Sequence, residues 1–267
     1  MERAVETDGC LIAYDVRGRG PTVLFIQGVG VHGDGWLPQI DELASRFTCI
    51  SFDNRGMGRS RPAGAKISVE RMANDALAIL DAEGIETAHI VGHSLGGLVA
   101  LQLAQTDRKR VRSLALLCTF PSGRAAAPLT LRMIWFGLRS RIGTRSMRRR
   151  GFLRLVLPPG PILDADALEE RLAALFGHDL ADQPPIVGEQ LRAMRASNLM
   201  PRLAELDGLP TLVVNAVHDP IAPPRAGRMI RDGIPGSRYE EVPDASHGLP
   251  ITHTGLVNAL LLKHLAN

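Results

Sequence analysis

The chain predicts a mixed α/β fold: a mostly parallel, eight-stranded sheet with helices on both faces. Three observations predict it. Short apolar runs of strand length alternate with helical patterns up to about residue 120, and again after residue 200. Thr22–Ile26 is a continuous apolar run without polar alternation, as expected of a strand buried on both faces. The rhythm breaks once, over residues 121–200. That stretch reads as helices interrupted by Pro158-Pro159-Gly160-Pro161 and Pro184-Pro185.

The elements follow in order. Two short strands, 4–7 and 11–16, are turned by Asp8-Gly9. Thr22–Ile26 ends in the glycine-rich loop Gln27-Gly28-Val29-Gly30. A helix over 37–45 and a strand Thr48–Phe52 lead to the loop Asp53-Asn54-Arg55-Gly56-Met57-Gly58-Arg59-Ser60. Residues 69–83 have helical spacing, with Met72, Ala76, Ile79 and Leu80 in register, and stop at Gly84. A strand 88–91, a helix from Leu95 to about residue 105 and a strand 111–118 complete the first part. The second part holds the strand Thr211–Ala216, a helix 225–231, the strand Arg238–Val242 and a closing helix 256–265. Residues 1–120 and 201–267 therefore read as the core. Residues 121–200 read as a helical cap inserted after the sixth strand, over the carboxyl ends of the strands, where open α/β sheets bind ligands.

Composition narrows the function classes. A 267-residue chain that is 45% hydrophobic suits one large domain with a sizeable core. No apolar run reaches the length of a transmembrane segment, and the first eight residues are polar and acidic, so no signal peptide is expected. Cys10, Cys49 and Cys118 are odd in number and widely spaced, which predicts free buried thiols and a cytoplasmic location. The net charge of +3 is modest, and aromatic residues do not interleave with basic ones as in a nucleic-acid-binding surface. The eight histidines show no metal-ligand spacing, so neither metal nor cofactor is expected.

The strongest chemical signal is Gly92-His93-Ser94-Leu95-Gly96, which lies between an apolar strand and a helical pattern. A serine on so sharp a strand-to-helix turn takes a strained conformation, and its neighbours two before and two after must lack a Cβ. The hydroxyl then stands clear of the chain in front of a helix N-terminus. Capping alone does not need glycines at both spacings, which weighs against Ser94 as an ordinary N-cap. A serine nucleophile needs a base, and the base needs a carboxylate that fixes its tautomer. Asp219, in Val217-His218-Asp219-Pro220, follows one late strand; His247, in Asp244-Ala245-Ser246-His247-Gly248, follows the next. Both belong on the same edge of a parallel sheet as Ser94. Asp219 before a proline also fits a plain turn. His32, His89, His178, His218, His253 and His264 have no supporting context and read as surface or core.

With these residues in order, the chain resembles the α/β-hydrolase superfamily over nearly its whole length. Four segments carry the resemblance: Gln27-Gly28-Val29-Gly30, the turn Asp53-x-Arg55-Gly56-x-Gly58-x-Ser60, the elbow Gly92-x-Ser94-x-Gly96-Gly97, and Asp219 with His247. Within the superfamily it is most similar to the small esterase, enol-lactonase and cofactor-free haloperoxidase-like members. The resemblance implies Ser94, Asp219 and His247 as catalytic residues. It implies the N–H groups of Val29 and Leu95 as an oxyanion hole, with Gln27, Gly28, Gly92, Gly96 and His93 supporting the loops. The family loop usually begins His-Gly, whereas this chain has Gln27-Gly28. The 53–60 turn reads as structural, with Asp53 and Arg55 holding loops below the site.

The implied activity is hydrolysis of a carboxylic ester or lactone through an acyl-enzyme on Ser94, acting on a small apolar substrate. Two alternatives stay open. The same residues could serve C–C bond cleavage, a lyase step or a cyclisation on a diketone or polyketide-like substrate, or the chain could be a non-catalytic ligand-binding protein. Phe120, Met133, Trp135, Phe136, Phe176 and Leu249 are candidate pocket walls. From Phe120 to Leu163 there are nine arginines (Arg124, Arg132, Arg139, Arg141, Arg145, Arg148, Arg149, Arg150 and Arg154) and no acidic residue. Either they pair with later acids such as Asp164, Asp166, Glu169 and Glu170, or they dock an anionic membrane surface, carrier protein or substrate.

Overall fold

A computed structural model describes residues 2–64, 66–126, 131–160 and 164–266. Strands β1 (Glu2–Thr7), β2 (Cys10–Gly18), β3 (Thr22–Ile26), β4 (Thr48–Phe52), β5 (Ala88–His93), β6 (Val111–Leu117), β7 (Thr211–Ala216) and β8 (Arg238–Val242) form one sheet. Its order is β1-β2-β4-β3-β5-β6-β7-β8. β2 pairs antiparallel with β1 and β4, and every other pairing is parallel. The central strands β3, β5, β6 and β7 are almost wholly buried, which is why they read as apolar runs. The edge strand β8, Arg-Tyr-Glu-Glu-Val, carries charge that discourages edge-to-edge pairing.

Successive side chains point to opposite faces of the strands, and two cores result. Leu24, Ile26, Ile90, Leu114, Leu116 and Val213 pack on one face against α2 (Val69–Ala82), α3 (Leu95–Thr106) and, beyond the insertion, the helix Pro224–Gly233. Val23, Phe25, Val91, Ala115, Leu117, Leu212 and Val214 pack on the other face against α1 (Leu37–Leu43) and the closing helix Thr254–Leu265. The observed strand and helix bounds agree with the sequence to within a few residues. β6 stops at Leu117 because Cys118 takes φ +45°, which turns the chain and sets Thr119 beside the elbow.

Between β6 and β7 lie α4 (Leu131–Arg139), α5 (Arg145–Val156), α6 (Ala165–Phe176) and α7 (Val187–Ala196). They carry a small third cluster of Leu153, Leu172, Phe176 and Leu180, joined by Val31 from the loop after β3. After it come β7, α8 (Pro224–Gly233), β8, the short α9 (Leu249–Thr252) and α10 (Thr254–Leu265). Several of the insertion's arginines meet acids further along the chain than the sequence suggests. Arg145 donates to Asp179 and Asp182, and Arg149 donates to Asp179 and approaches Glu169 at 3.9 Å. Asp164 instead caps α6 through the Ala167 N–H, and Asp166 and Glu170 are exposed. The Arg149 and Arg145 guanidiniums hold the Asp179 carboxyl well below the usual carboxylate range.

Candidate active site

Parallel register brings the site together. Ile26 pairs with Gly92, His93 with Leu117, Leu117 with Val214 and Ala216 with Val242. The loops that follow these strands therefore leave from one edge of the sheet, and they carry Gln27, Ser94, Thr119, Asp219 and His247. Ser94 links β5 to α3 with φ +55° and ψ −118°, a region that costs a non-glycine residue about 1–3 kcal/mol. Its hydroxyl does not cap the helix. The flanking glycines are required by close approach. A Cβ on Gly92 would strike the carbonyl oxygen of Gly96, and a Cβ on Gly96 would strike that of Ile26.

Ser94 Oγ lies 3.0 Å from His247 Nε2, and His247 Nδ1 lies 2.8 Å from Asp219 Oδ2. The other Asp219 oxygen accepts the N–H groups of Ile221 and Ala222, each at 2.8 Å, so the carboxylate is anchored at both ends. All three side chains are buried. With Nδ1–H given to Asp219, the lone pair of His247 Nε2 faces Ser94 and can take its proton.

His93 packs under the elbow, as its position in the motif suggests. Its Nε2–H donates to the His247 carbonyl at 2.9 Å, and its ring lies 4.9 Å from the His247 ring. Burial, then the neighbouring His247, pushes the His93 pKa down to about 3, so it sits as a neutral donor. Thr119 Oγ1 donates to the Ser94 carbonyl at 2.6 Å. Ser246 Oγ donates to the His218 carbonyl at 3.1 Å, which ties the histidine loop to the aspartate loop. Cys118 is buried beside them, and burial followed by the Asp219 charge raises its thiol pKa, which leaves it inert.

The Gln27–Gly30 loop is held from three sides. Gln27 Oε1 accepts its neighbour's N–H from Gly28 at 3.1 Å, and Asn54 Nδ2 donates to the Gln27 carbonyl at 3.0 Å. Gln190, on α7, accepts the Gly30 N–H at 2.9 Å. His178 Nε2–H donates to the Gly30 carbonyl at 2.8 Å. The N–H groups of Val29 and Leu95 meet no acceptor among the described residues. Below the loop, the 53–60 turn is structural. Asp53 accepts the Gly33 N–H at 2.8 Å, and Arg55 pairs with Asp75 in full burial through bonds of 2.7 and 2.5 Å.

A cavity of about 540 Å³ opens over Ser94 and His247, of a size that takes a small organic substrate. Phe176 lines it, together with Val29, Phe152, Leu172, Val187 and Met194. Phe120, Leu249 and Trp135 fall elsewhere. Phe120 is fully buried in the α2–α3 core, and Leu249 in the α1–α10 core. Both follow strand-edge loops, where the chain turns their side chains inward. Trp135 is 59% exposed, with the Arg139 guanidinium 5.8 Å from its ring centroid. The side chains of Met133 and Phe136 lie outside the described residues. Gln190, His178 and Thr119 were not legible as site residues. A lone glutamine or histidine in a helical stretch carries no spacing signal. Among the described residues, no group of three or more His, Cys, Asp or Glu side chains is placed to hold a metal ion.

Comparison with known proteins agrees with this architecture. The family model for the alpha/beta hydrolase fold matches residues 21–254. The chain belongs to the α/β-hydrolase fold family. It is 33% identical over 254 residues to RutD of Azorhizobium caulinodans, named a "Putative carbamate hydrolase", covering 93% of this chain and 92% of that protein. It is 32% identical to the dihydrolipoyllysine-residue acetyltransferase component of the acetoin cleaving system of Cupriavidus necator, over 97% of this chain and 68% of that one. Among solved structures, a hydrolase from Pseudomonas aeruginosa PA01 superposes with a TM-score of 0.83 at 25% identity, over 100% of this chain and 98% of that one. The enol-lactonase from Burkholderia xenovorans LB400 shares the fold, with a TM-score of 0.83 at 22% identity over 99% and 100% of the chains.

Proposed function

We propose that the protein is a serine hydrolase that cleaves a carboxylic ester or lactone through an acyl-enzyme on Ser94. The unbroken chain from Ser94 Oγ to His247 to Asp219, opening into an apolar cavity, carries this reading. Ser94 Oγ attacks the carbonyl carbon as His247 Nε2 takes its proton. The carbonyl oxygen becomes an oxyanion that the unpartnered N–H groups of Val29 and Leu95 receive. Each such donor is worth about 3 kcal/mol in the transition state. The carbon–oxygen bond to the leaving group breaks as His247 returns the proton to it. Water, deprotonated by His247, then releases the acid and regenerates Ser94. Residues 121–200 act as the cap that shapes the acyl pocket.

The relation to RutD supports a second reading, cleavage of a carbamate by the same steps. A panel of alkyl esters, lactones and O-alkyl carbamates of matched chain length separates the two. Wild type is expected to turn over esters or lactones at least about tenfold faster in kcat/KM than carbamates, a difference of 1.4 kcal/mol in barrier. Ser94→Ala is expected to lose all of it. A preference for carbamates would replace the ester reading, and turnover retained in Ser94→Ala would remove Ser94 from the chemistry.

A further inference from the structure

We propose that the substrate carries a carboxylate at the end remote from its scissile carbonyl, and that Arg141 and Arg195 receive it at the mouth of the cavity. The inference rests on the reading of Ser94 as nucleophile and names the substrate class for that site.

The charge of the lining carries it first. Among the described lining residues no Asp or Glu faces the cavity, and the arginines there are Arg141 and Arg195. The inner wall is apolar, with Phe152, Leu172 and Phe176 among its residues, while both arginines are exposed and therefore stand at the rim. An amphiphilic cavity of this kind fits an apolar body with one anionic end.

The state of the two arginines carries it second. Four other cations of the insertion are engaged: Arg145 and Arg149 with Asp179, Arg148 with Asp182 at 3.8 Å, and Arg154 with the Gly160 carbonyl; none of these four lines the cavity. Among the described residues, no carboxylate lies within ion-pair distance of Arg141 or Arg195. A guanidinium offers planar, forked donors that match a carboxylate in two parallel bonds.

Convergence carries it third. Arg141 follows the end of α4, and Arg195 lies in the last turn of α7. Two segments far apart in the chain thus each supply an arginine to the lining of one cavity.

The test uses monomethyl esters of straight-chain diacids, from succinate to sebacate, against methyl alkanoates of equal length. Binding is measured by calorimetry to Ser94→Ala, so it does not depend on turnover. The half-esters are expected to bind about tenfold tighter at one optimal length, and the difference is expected to shrink in 0.5 M NaCl. On the same background, Arg141→Gln with Arg195→Gln is expected to abolish the difference. Equal or undetectable binding of the two series overturns the proposal, as does a preference that survives the double substitution. Turnover of the same esters by wild type reports separately on Ser94. A half-ester preference in binding without wild-type hydrolysis would sink the nucleophile reading and leave the rim assignment standing.

Discussion

Asp219 shows how much of the site depends on single hydrogen bonds. One of its oxygens accepts two backbone N–H groups and the other faces His247 Nδ1. Asp219→Asn keeps the size and the backbone anchors but presents an amide NH₂ to Nδ1, which favours the wrong imidazole tautomer. The expected result is a fall in kcat of about 10⁴ with little change in thermal stability, as for the equivalent change in serine proteases. A loss of tenfold or less in steady-state kcat would show that His247 does not depend on this partner. Ser94, Asp219 and His247 were legible in sequence because each sits at a fixed offset from a strand end. Phe120 and Leu249 misled because an aromatic or apolar identity does not reveal which way a loop turns its side chain.

At the scale of elements, the elbow between β5 and α3 is set by backbone approach, and Gly96 is its tightest point. Gly96→Ala drives a Cβ into the Ile26 carbonyl, a backbone group that cannot rotate away. The expected cost is about 3 kcal/mol, the upper range for overpacking, read as a drop in denaturation midpoint. Gly255→Ala, in α10, is the matched control: nothing lies within 4 Å of its Cβ position, and a gain of up to about 1 kcal/mol is expected. Equal effects at the two glycines would contradict the packing account of the elbow. The central strands were read accurately because burial on both faces removes every polar interruption. The insertion was readable as helical but not in its contacts. Helical spacing marks an apolar face without saying what that face meets, so the Gln190 and His178 bonds to Gly30 emerge only in three dimensions.

The whole molecule stores a pH dependence in two desolvated histidines, the buried His89 and the part-buried His93. Burial pushes His93 down to about 3 and, together with Arg112 and His264, His89 down to about 4. Above the ordinary histidine value of about 6.5 both rings are neutral folded and unfolded, and they add nothing to the slope. Below it the unfolded chain binds protons that the folded chain refuses. Stability therefore falls as pH drops from about 6.5 towards 4, by at most about 1.4 kcal/mol per pH unit for each ring. Chemical denaturation between pH 7 and 4.5 is expected to show this loss. His93→Gln, which keeps a donor for the His247 carbonyl, is expected to show a shallower slope. Stability that is flat or rising towards pH 4.5 would contradict the burial account. Across the fold no helix among the described residues is long and apolar enough to cross a membrane, and the three cysteines are free and buried.

The central claim is that Ser94, activated by His247, is the nucleophile, and intact mass after treatment with a fluorophosphonate ester tests it most directly. The account predicts one adduct per chain on wild type, mapped to the peptide that contains Ser94, slowed in His247→Ala and absent from Ser94→Ala. Folded wild-type protein that takes no adduct, or a Ser94→Ala protein that still takes one, would contradict it.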